Sequence, residues 1–194
     1  MNSSQLNKAA VDTIKNYFKA QRFLFLAEQC LNLTQKALMP LLRKQGINHP
    51  QYLILMILSY ADLSQNKVIS TDLSHLLGLQ KHSITPHVDT LLKKGLLERQ
   101  RNTSDRRAVF LKLTGRGKAM IEKIQPRTFT TIAAFPKSSK KEYEFLIDFL
   151  ESFCTLSAEN SGQAPGVYRQ AYERLLVGGQ EAFLKKIKEE NPYG

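Results

Sequence analysis

The chain has 194 residues, 42% of them apolar, which suits one domain or two small ones with a buried core. A net charge of +11 and a pI near 9.7 indicate a polyanionic partner (DNA, RNA or an anionic membrane surface), and a generally basic protein without such a partner is the alternative. Two distant cysteines argue against a disulfide framework, and no N-terminal run has the layout of a signal peptide. The longest apolar run, residues 52–61, is too short to span a bilayer. We therefore expect a cytoplasmic protein with no membrane partner.

The first segment, residues 5–45, is predicted to be one long helix. Its apolar residues, Tyr17 and Phe18 among them, recur at three- and four-residue steps, as on one face of a helix. Such a helix does not fit well around a small core, so we expect it to pack against a second copy of the chain. A turn at 46–51 then leads into a buried helix over 51–61.

Two short helices are predicted next, over residues 71–78 and 84–95, and a short strand at 68–70 precedes them. Gly78 and Gly95 follow the last apolar residues of these helices and serve as stop signals. Only a few residues join the two helices, and the second begins with small polar and basic side chains. This is the layout of a helix-turn-helix.

The period of the apolar residues then changes from helical to alternating. Residues 96–101 and 108–114 are predicted strands, and 102–105 form a polar, turn-forming tip between them. The order helix, turn, helix and hairpin predicts a winged helix. Residues 81–118 contain ten Lys and Arg against three Asp and Glu, a net of +7, so we expect a localised anion-binding face there.

The C-terminal part is predicted to be helical as well. Two further helices are expected before Ser157, the first of them interrupted or bent at Pro126. Residues 158–166 have the composition of a linker. Two short helices, 167–177 and 180–190, are expected to follow, split by a pair of glycines.

The string LLKKGLLER......DRRAVFLKLTGRG, from Leu91 to Gly117, resembles the multiple-antibiotic-resistance regulator (MarR) family of bacterial transcription factors. The resemblance covers roughly residues 10–157. It implies an obligate homodimer with interleaved N- and C-terminal helices, whose two winged-helix lobes bind a palindromic operator in double-stranded DNA. It also implies a recognition helix in the major groove and a wing in the minor groove. Many family members bind small phenolic or lipophilic ligands, and others sense oxidants through cysteine.

The resemblance assigns DNA-binding residues to this chain. The recognition helix corresponds to residues 81–93, and its candidate base and phosphate contacts are Lys81, His82, Ser83, Thr85 and His87. The hairpin corresponds to the wing, with the candidate contacts Arg99, Arg101, Asn102, Ser104, Asp105, Arg106 and Arg107. The tripeptide at 84–86 is similar to the Leu-Thr-Pro of the peroxide-sensing branch, in which the proline is tolerated as a first-turn residue. The position at which that branch keeps its sensing cysteine falls near Leu24 and holds no cysteine, which argues against that mechanism.

The tip of the wing combines an acid with two arginines. A narrow, negative minor groove attracts guanidinium groups, so Arg107 is expected to enter it. Phosphate would repel Asp105, which is therefore expected to bind Arg107 or Arg106 and fix its direction. A solvated turn with an incidental salt bridge is the alternative. Phosphate contacts, each also explicable as a solvated surface charge, are expected from Lys81, Arg99, Arg101, Arg106 and Arg116.

The remaining polar and aromatic residues indicate no catalytic centre. His82 and His87 have no third metal ligand nearby, so phosphate or base contacts are favoured over a metal site. Cys30 and Cys154 are expected to be small buried side chains, with a redox role as the alternative. Aromatic residues of the first helix could line a ligand cleft, but dimer packing explains them as well. Since no phosphate loop, nucleophile–base pair or metal cluster is present, we predict no catalytic residue, metal or cofactor, and no enzyme.

The predicted fold class is mostly α (α+β), a winged helix-turn-helix lobe with a helical dimerisation region built from the N- and C-terminal helices. The expected domains are a dimerisation helix (1–46), the DNA-binding lobe (47–114), C-terminal dimerisation helices (115–157) and an extension of unknown role (158–194). The predicted function is transcriptional control by a homodimer that binds a palindromic operator, with a small-molecule effector or protein partner as an open possibility. Two alternatives stay open: a non-specific or architectural DNA-binding protein, and a protein-binding adaptor that uses the winged helix and the C-terminal tail.

Overall fold

A computed structural model describes residues 3–101, 109–132 and 140–190 of the chain. Over these ranges the fold is mostly helical, with one antiparallel pair of strands. The elements are α1 (Ser3–Lys44), α2 (His49–Leu63), α3 (Ser70–Leu77), α4 (Lys81–Lys93), β1 (Leu97–Arg101), β2 (Val109–Leu113), α5 (Gly115–Ile132), α6 (Lys140–Asn160), α7 (Val167–Tyr172), a π-helical turn (Glu173–Val177) and α8 (Gly178–Glu190). The predicted fold class is confirmed. The chain divides into two compact units, Met1–Pro40 and Leu41–Gly194.

The first unit contains most of the long helix α1. Many of its apolar side chains lie at helical spacing and are exposed, with Tyr17, Phe18 and Phe25 among them. The Tyr17 and Phe18 rings lie 5.9 Å apart and are tilted against each other. The long N-terminal helix predicted from the apolar spacing is confirmed, and Tyr17, Phe18 and Phe25 are exposed in the single chain.

The second unit has its hydrophobic core at the winged helix. Side chains from α2, α3, α4, α5 and both strands are fully or almost fully buried in it, including Leu55, Leu73, Ile84, Val88, Leu91, Leu97, Leu113, Ile121 and Ile124. The helix α2 is well defined at its start, because Asn48 accepts a hydrogen bond from the Gln51 backbone and the Gln51 side chain accepts one from the Asn48 backbone. None of the helices in the described ranges is long and apolar enough to cross a membrane.

The wing strands pair in antiparallel register, with Leu97 opposite Leu113 and Arg101 opposite Val109. A third segment joins them through a single bridge, in which the Leu111 backbone donates a 2.8 Å hydrogen bond to the Val68 carbonyl. The short strand predicted at 68–70 is thus reduced to one bridging residue. This bridge connects the segment before α3 to the base of the wing.

The C-terminal segment differs from the prediction at two points. The helix α6 continues to Asn160 and so takes in the first part of the predicted linker. Gly178 and Gly179 do not split the last helix, since α8 begins at Gly178 with helical backbone angles. A Cβ atom on Gly179 would lie 2.5 Å from the Tyr60 Cβ and carbonyl oxygen. The glycine therefore permits close contact with α2.

Candidate nucleic-acid interface

The helix α4 presents two different faces. Ile84, Val88 and Leu91 are buried and fix its position against the core. On the other side Lys81, His82 and Thr85 are exposed, while Ser83 and His87 are half-buried. Because residues three and four apart share a helix face, burial of the apolar row leaves the polar row open. The structure therefore leaves three of the five predicted recognition-helix residues fully accessible.

A shallow groove of about 570 Å³ runs along the accessible face of α4. Its lining extends beyond the predicted set and consists of His82, Thr85, Pro86, Asp89, Thr90 and Lys93. Asp89, Thr90 and Lys93 were missed by the sequence analysis. Their helical spacing from His82 and Thr85 places them on the same face of α4, beyond the first turns to which the predicted contacts were limited.

Pro86 lies further inside α4 than expected. The helix begins at Lys81, so Pro86 is its sixth residue and belongs to the second turn, and the expectation of a first-turn proline is wrong. Proline has no backbone N–H, so it cannot donate to the His82 carbonyl oxygen four residues earlier. Two hydroxyl groups bond back to the helix on this face: Thr85 donates to the Lys81 carbonyl at 3.0 Å, and Thr90 donates to the Pro86 carbonyl at 2.8 Å.

Among the described residues, an ion pair ties the wing to α4. Arg99 on β1 donates through Nη2 to Asp89 Oδ1 at 2.8 Å, and both side chains are about half-exposed. The pair holds the Arg99 guanidinium beside the α4 groove and leaves a part of it accessible. Arg99 was predicted as a phosphate contact, and this contact with Asp89 could not be read from the sequence. Arg101, at the end of the same strand, is exposed.

The junction between the wing and α5 is held by Thr114. Its hydroxyl donates a 2.7 Å hydrogen bond to the Gly95 carbonyl and accepts one of 3.1 Å from the Gly117 backbone. The Leu96 carbonyl accepts from the Thr114 backbone at 3.1 Å. A Cβ atom on Gly117 would lie only 2.2 Å from that carbonyl oxygen. These contacts explain the pattern Leu113-Thr114-x-x-Gly117 in the sequence. They join the end of β2 to the segment that follows α4.

Several predicted wing residues lie outside the described residues: Asn102, Ser104, Asp105, Arg106 and Arg107. The expected pairing of Asp105 with a neighbouring arginine stays a prediction.

Within the described ranges, no group of three or more His, Cys, Asp and Glu could hold a metal ion. Cys30 is exposed and Cys154 half-buried, so the expectation that both are buried side chains is wrong for Cys30 in the single chain.

Part of the chain is similar in sequence to known transcriptional regulators. Residues 47–109 match the model of the MarR family. The chain is 29% identical over 107 residues to the HTH-type transcriptional repressor YetL of Bacillus subtilis, which corresponds to 55% of this chain and 63% of YetL. It is 34% identical over 85 residues to the organic hydroperoxide resistance transcriptional regulator of the same species, or 43% of this chain and 54% of that protein. The chain thus spans between half and two thirds of the length of these curated relatives.

A solved structure resembles a larger part of the chain. A MarR-family transcriptional regulator from Rhodococcus sp. RHA1 superposes with a TM-score of 0.59 at 19% identity, covering 70% of this chain and 95% of its own. At this identity the likeness concerns the fold. It extends the agreement in fold well beyond the residues matched by the family model.

Proposed function

We propose that the chain is a transcriptional regulator that binds a palindromic DNA operator as a homodimer, because residues 47–109 match the model of the MarR family. The observation that carries the proposal is the accessible polar face of α4, held beside the wing by the Asp89–Arg99 pair. A winged helix of this kind places the N-terminal part of its recognition helix in the major groove. Repression is the sign of control that we propose, since YetL is named as a repressor.

The residues divide by the contact that we assign to them. His82 and Thr85 are exposed on the first turns of α4, where side chains can reach base edges. Lys81 and Arg101 are exposed cations suited to phosphate. Arg99 serves both Asp89 and DNA in this proposal, because half of its side chain stays accessible. The minor-groove contact is assigned to Arg107 from the sequence pattern.

The proposal of a homodimer rests on apolar surface that a lone chain leaves exposed. On α6, Phe145, Leu146, Phe149 and Leu156 are all more than a third exposed and recur at helical spacing. The exposed apolar side chains of α1 form a second such surface in the other unit. Contiguous exposed apolar surface of this kind marks a protein interface more often than a free face.

Leu156 and Leu184 offer a matched pair for testing this interface. Their exposed fractions are 58% and 57%, but Leu156 lies on α6 and Leu184 on α8. We expect Leu156→Asp to shift the molecular mass in light scattering from two chains towards one, and Leu184→Asp to leave the mass of a dimer. A wild-type protein of single-chain mass, or equal effects of the two substitutions, would contradict the proposal.

Selection of bound sequences from random DNA tests specific binding directly. We expect enrichment of a palindrome whose half-sites are about 34 Å apart, one turn of the double helix. If each lobe neutralises about four phosphates, the logarithm of the binding constant should fall against that of the salt concentration with a slope near −7. Replacing Arg107 by alanine should weaken binding, and unchanged affinity would contradict the minor-groove role.

Two other functions are separated by the same selection. Binding without an enriched palindrome would favour a non-specific or architectural protein. Little affinity for any duplex at moderate salt would favour a protein-binding adaptor.

A small-molecule effector is a further proposal, motivated by Tyr17, Phe18 and the other aromatic residues of α1. Phenolic acids should then raise the melting temperature, and a screen without stabilisation would count against a phenolic ligand.

A further inference from the structure

The C-terminal segment after α6 packs on the winged helix of its own chain. α7 packs against α3, and the π-helical turn and α8 pack against α2. Leu175, in the π-helical turn, is completely buried. Gly179 lies against Tyr60 of α2 with no room for a side chain. This packing makes the segment a part of the second compact unit.

One arginine of this segment reaches the start of the helix-turn-helix. Arg174 donates through Nη1 to the Lys67 carbonyl at 2.9 Å and through Nη2 to Asp72 Oδ1 at 2.6 Å. The Asn66 side chain closes the contact from the other side by donating to the Arg174 carbonyl at 2.8 Å. The guanidinium thus holds a backbone oxygen before α3 and a carboxylate within the first turn of α3. A planar guanidinium with several fixed donors is suited to two acceptors at once.

The two acceptors of Arg174, on Lys67 and Asp72, lie on either side of residues 68–71 in the sequence. This segment contacts the wing through Val68. The Val68 carbonyl accepts from the Leu111 backbone on β2, and the second oxygen of Asp72 accepts from the Ile69 backbone at 2.9 Å. Lys67 adds a cation–π contact, with its ammonium 5.0 Å from the centre of the Phe110 ring. The start of α3, the base of the wing and the C-terminal segment therefore meet at one junction.

We propose that Arg174 is a positioning residue for operator recognition, which fixes the start of α3 relative to the base of the wing. The inference rests on the proposed function, since it concerns how the recognition helix and the wing are presented to DNA together. Sequence is read by contacts to base edges, which require a defined arrangement of both elements, whereas phosphate contacts carry no sequence information. Loss of Arg174 should therefore reduce operator affinity more than affinity for unrelated DNA.

The same segment provides a matched control. Arg169 carries the same charge, lies five residues earlier and forms an ion pair with Glu173 at 2.8 Å. Its side chain is 69% exposed, compared with 41% for Arg174. Arg169→Ala removes one positive charge from this segment without touching the junction.

The experiment compares Arg174→Ala and Arg169→Ala in the full-length chain by two measurements. The first is amide hydrogen exchange of residues 66–73 without DNA, and the second is the affinity for the selected operator and for an unrelated duplex. For Arg174→Ala we expect exchange to be faster by about threefold or more, operator affinity to fall about threefold to tenfold, and affinity for the unrelated duplex to change less than about twofold. Arg169→Ala should match the wild type in both measurements.

Three results would overturn the proposal: exchange and operator affinity of Arg174→Ala equal to the wild type, equal effects of both alanine variants, or an equal loss for the operator and the unrelated duplex. If Arg174→Ala does not fold, Arg174→Lys takes its place, because it keeps the charge but not the two-pronged geometry. The same selective loss is expected of it, and operator affinity equal to the wild type would refute the positioning role. If the wild type selects no operator, the proposed function fails, while hydrogen exchange still decides whether Arg174 holds the junction.

Discussion

Replacement of Gly117 by alanine tests whether the wing and α5 are as closely joined as the structure indicates. The added Cβ atom would lie 2.2 Å from the Leu96 carbonyl oxygen and 3.1 Å from Leu113 Cδ2. An ordinary contact with that oxygen needs more than about 3 Å, so the two backbones must separate by about 1 Å. The carbonyl cannot withdraw freely, because it accepts the hydrogen bond from the Thr114 backbone.

The magnitude follows from two opposing terms. Forcing atoms into a packed site costs about 1–3 kcal/mol of the free energy of unfolding. Alanine is preferred over glycine in a helix by up to about 1 kcal/mol, which offsets a part of this cost. Gly115→Ala is the matched control, because it lies in the same turn of α5 and its Cβ would meet nothing within 4 Å. The two variants should therefore differ by about 1–3 kcal/mol, with Gly117→Ala the less stable.

Urea unfolding followed by circular dichroism measures this difference. In thermal unfolding, each kcal/mol should appear as roughly 2–4 °C for a chain of this size. Gly115→Ala should unfold at or slightly above the wild-type midpoint. Two alanine variants of equal stability, or a Gly117→Ala variant more stable than the wild type, would refute the close contact between α5 and the segment that enters the wing.

Three further predictions concern other parts of the second unit. Gly179→Ala should lower the free energy of unfolding by about 1–3 kcal/mol in urea titrations, because its Cβ would lie 2.5 Å from the α2 backbone. Gly178→Ala is the control, since its Cβ would make only an ordinary 3.5 Å contact. Equal unfolding midpoints of the two variants would contradict this packing. Burial lowers the pKa of His49 below its usual 6.5, so the folded state resists its protonation and stability should fall as the pH drops below about 6.5. His49→Asn should make the melting temperature less dependent on pH between about 7 and 5, and an unchanged dependence would speak against this assignment. Asp89→Ala removes an acid from the α4 groove and releases Arg99, so affinity for unrelated duplexes should rise about twofold or more in fluorescence anisotropy. An unchanged or lower affinity would refute this reasoning.

The helices and the wing could be predicted because the period of the apolar residues changes along the chain. Apolar side chains three and four residues apart predicted a helix over 84–95, and the observed helix extends from Lys81 to Lys93. Alternation then identified both strands to within one residue. The spacing also indicates the accessible face of α4, since the buried positions Ile84, Val88 and Leu91 determine which side chains remain outside.

Contacts between distant residues could not be predicted in this way. Asp89 and Arg99 lie on different elements, and no periodic pattern relates them. Asp72 and Arg174 are in contact although 102 positions separate them in the sequence. In the sequence alone, neither residue differs from an ordinary surface charge. Gly178 and Gly179 were expected to break a helix. The sequence does not show that Gly179 packs closely on Tyr60 of α2, because that contact depends on the tertiary structure.

The junction at Arg174 also has a consequence for the order in which the protein can mature during synthesis. Asn66 precedes Arg174 by 108 positions. At a translation rate of about 5–20 residues per second, Asn66 is made roughly 5–20 seconds before the arginine that it will bond. The helix-turn-helix and the wing are therefore made before Arg174 can bond to them, and a nascent chain can acquire its final arrangement at the junction only after the C-terminal segment has left the ribosome.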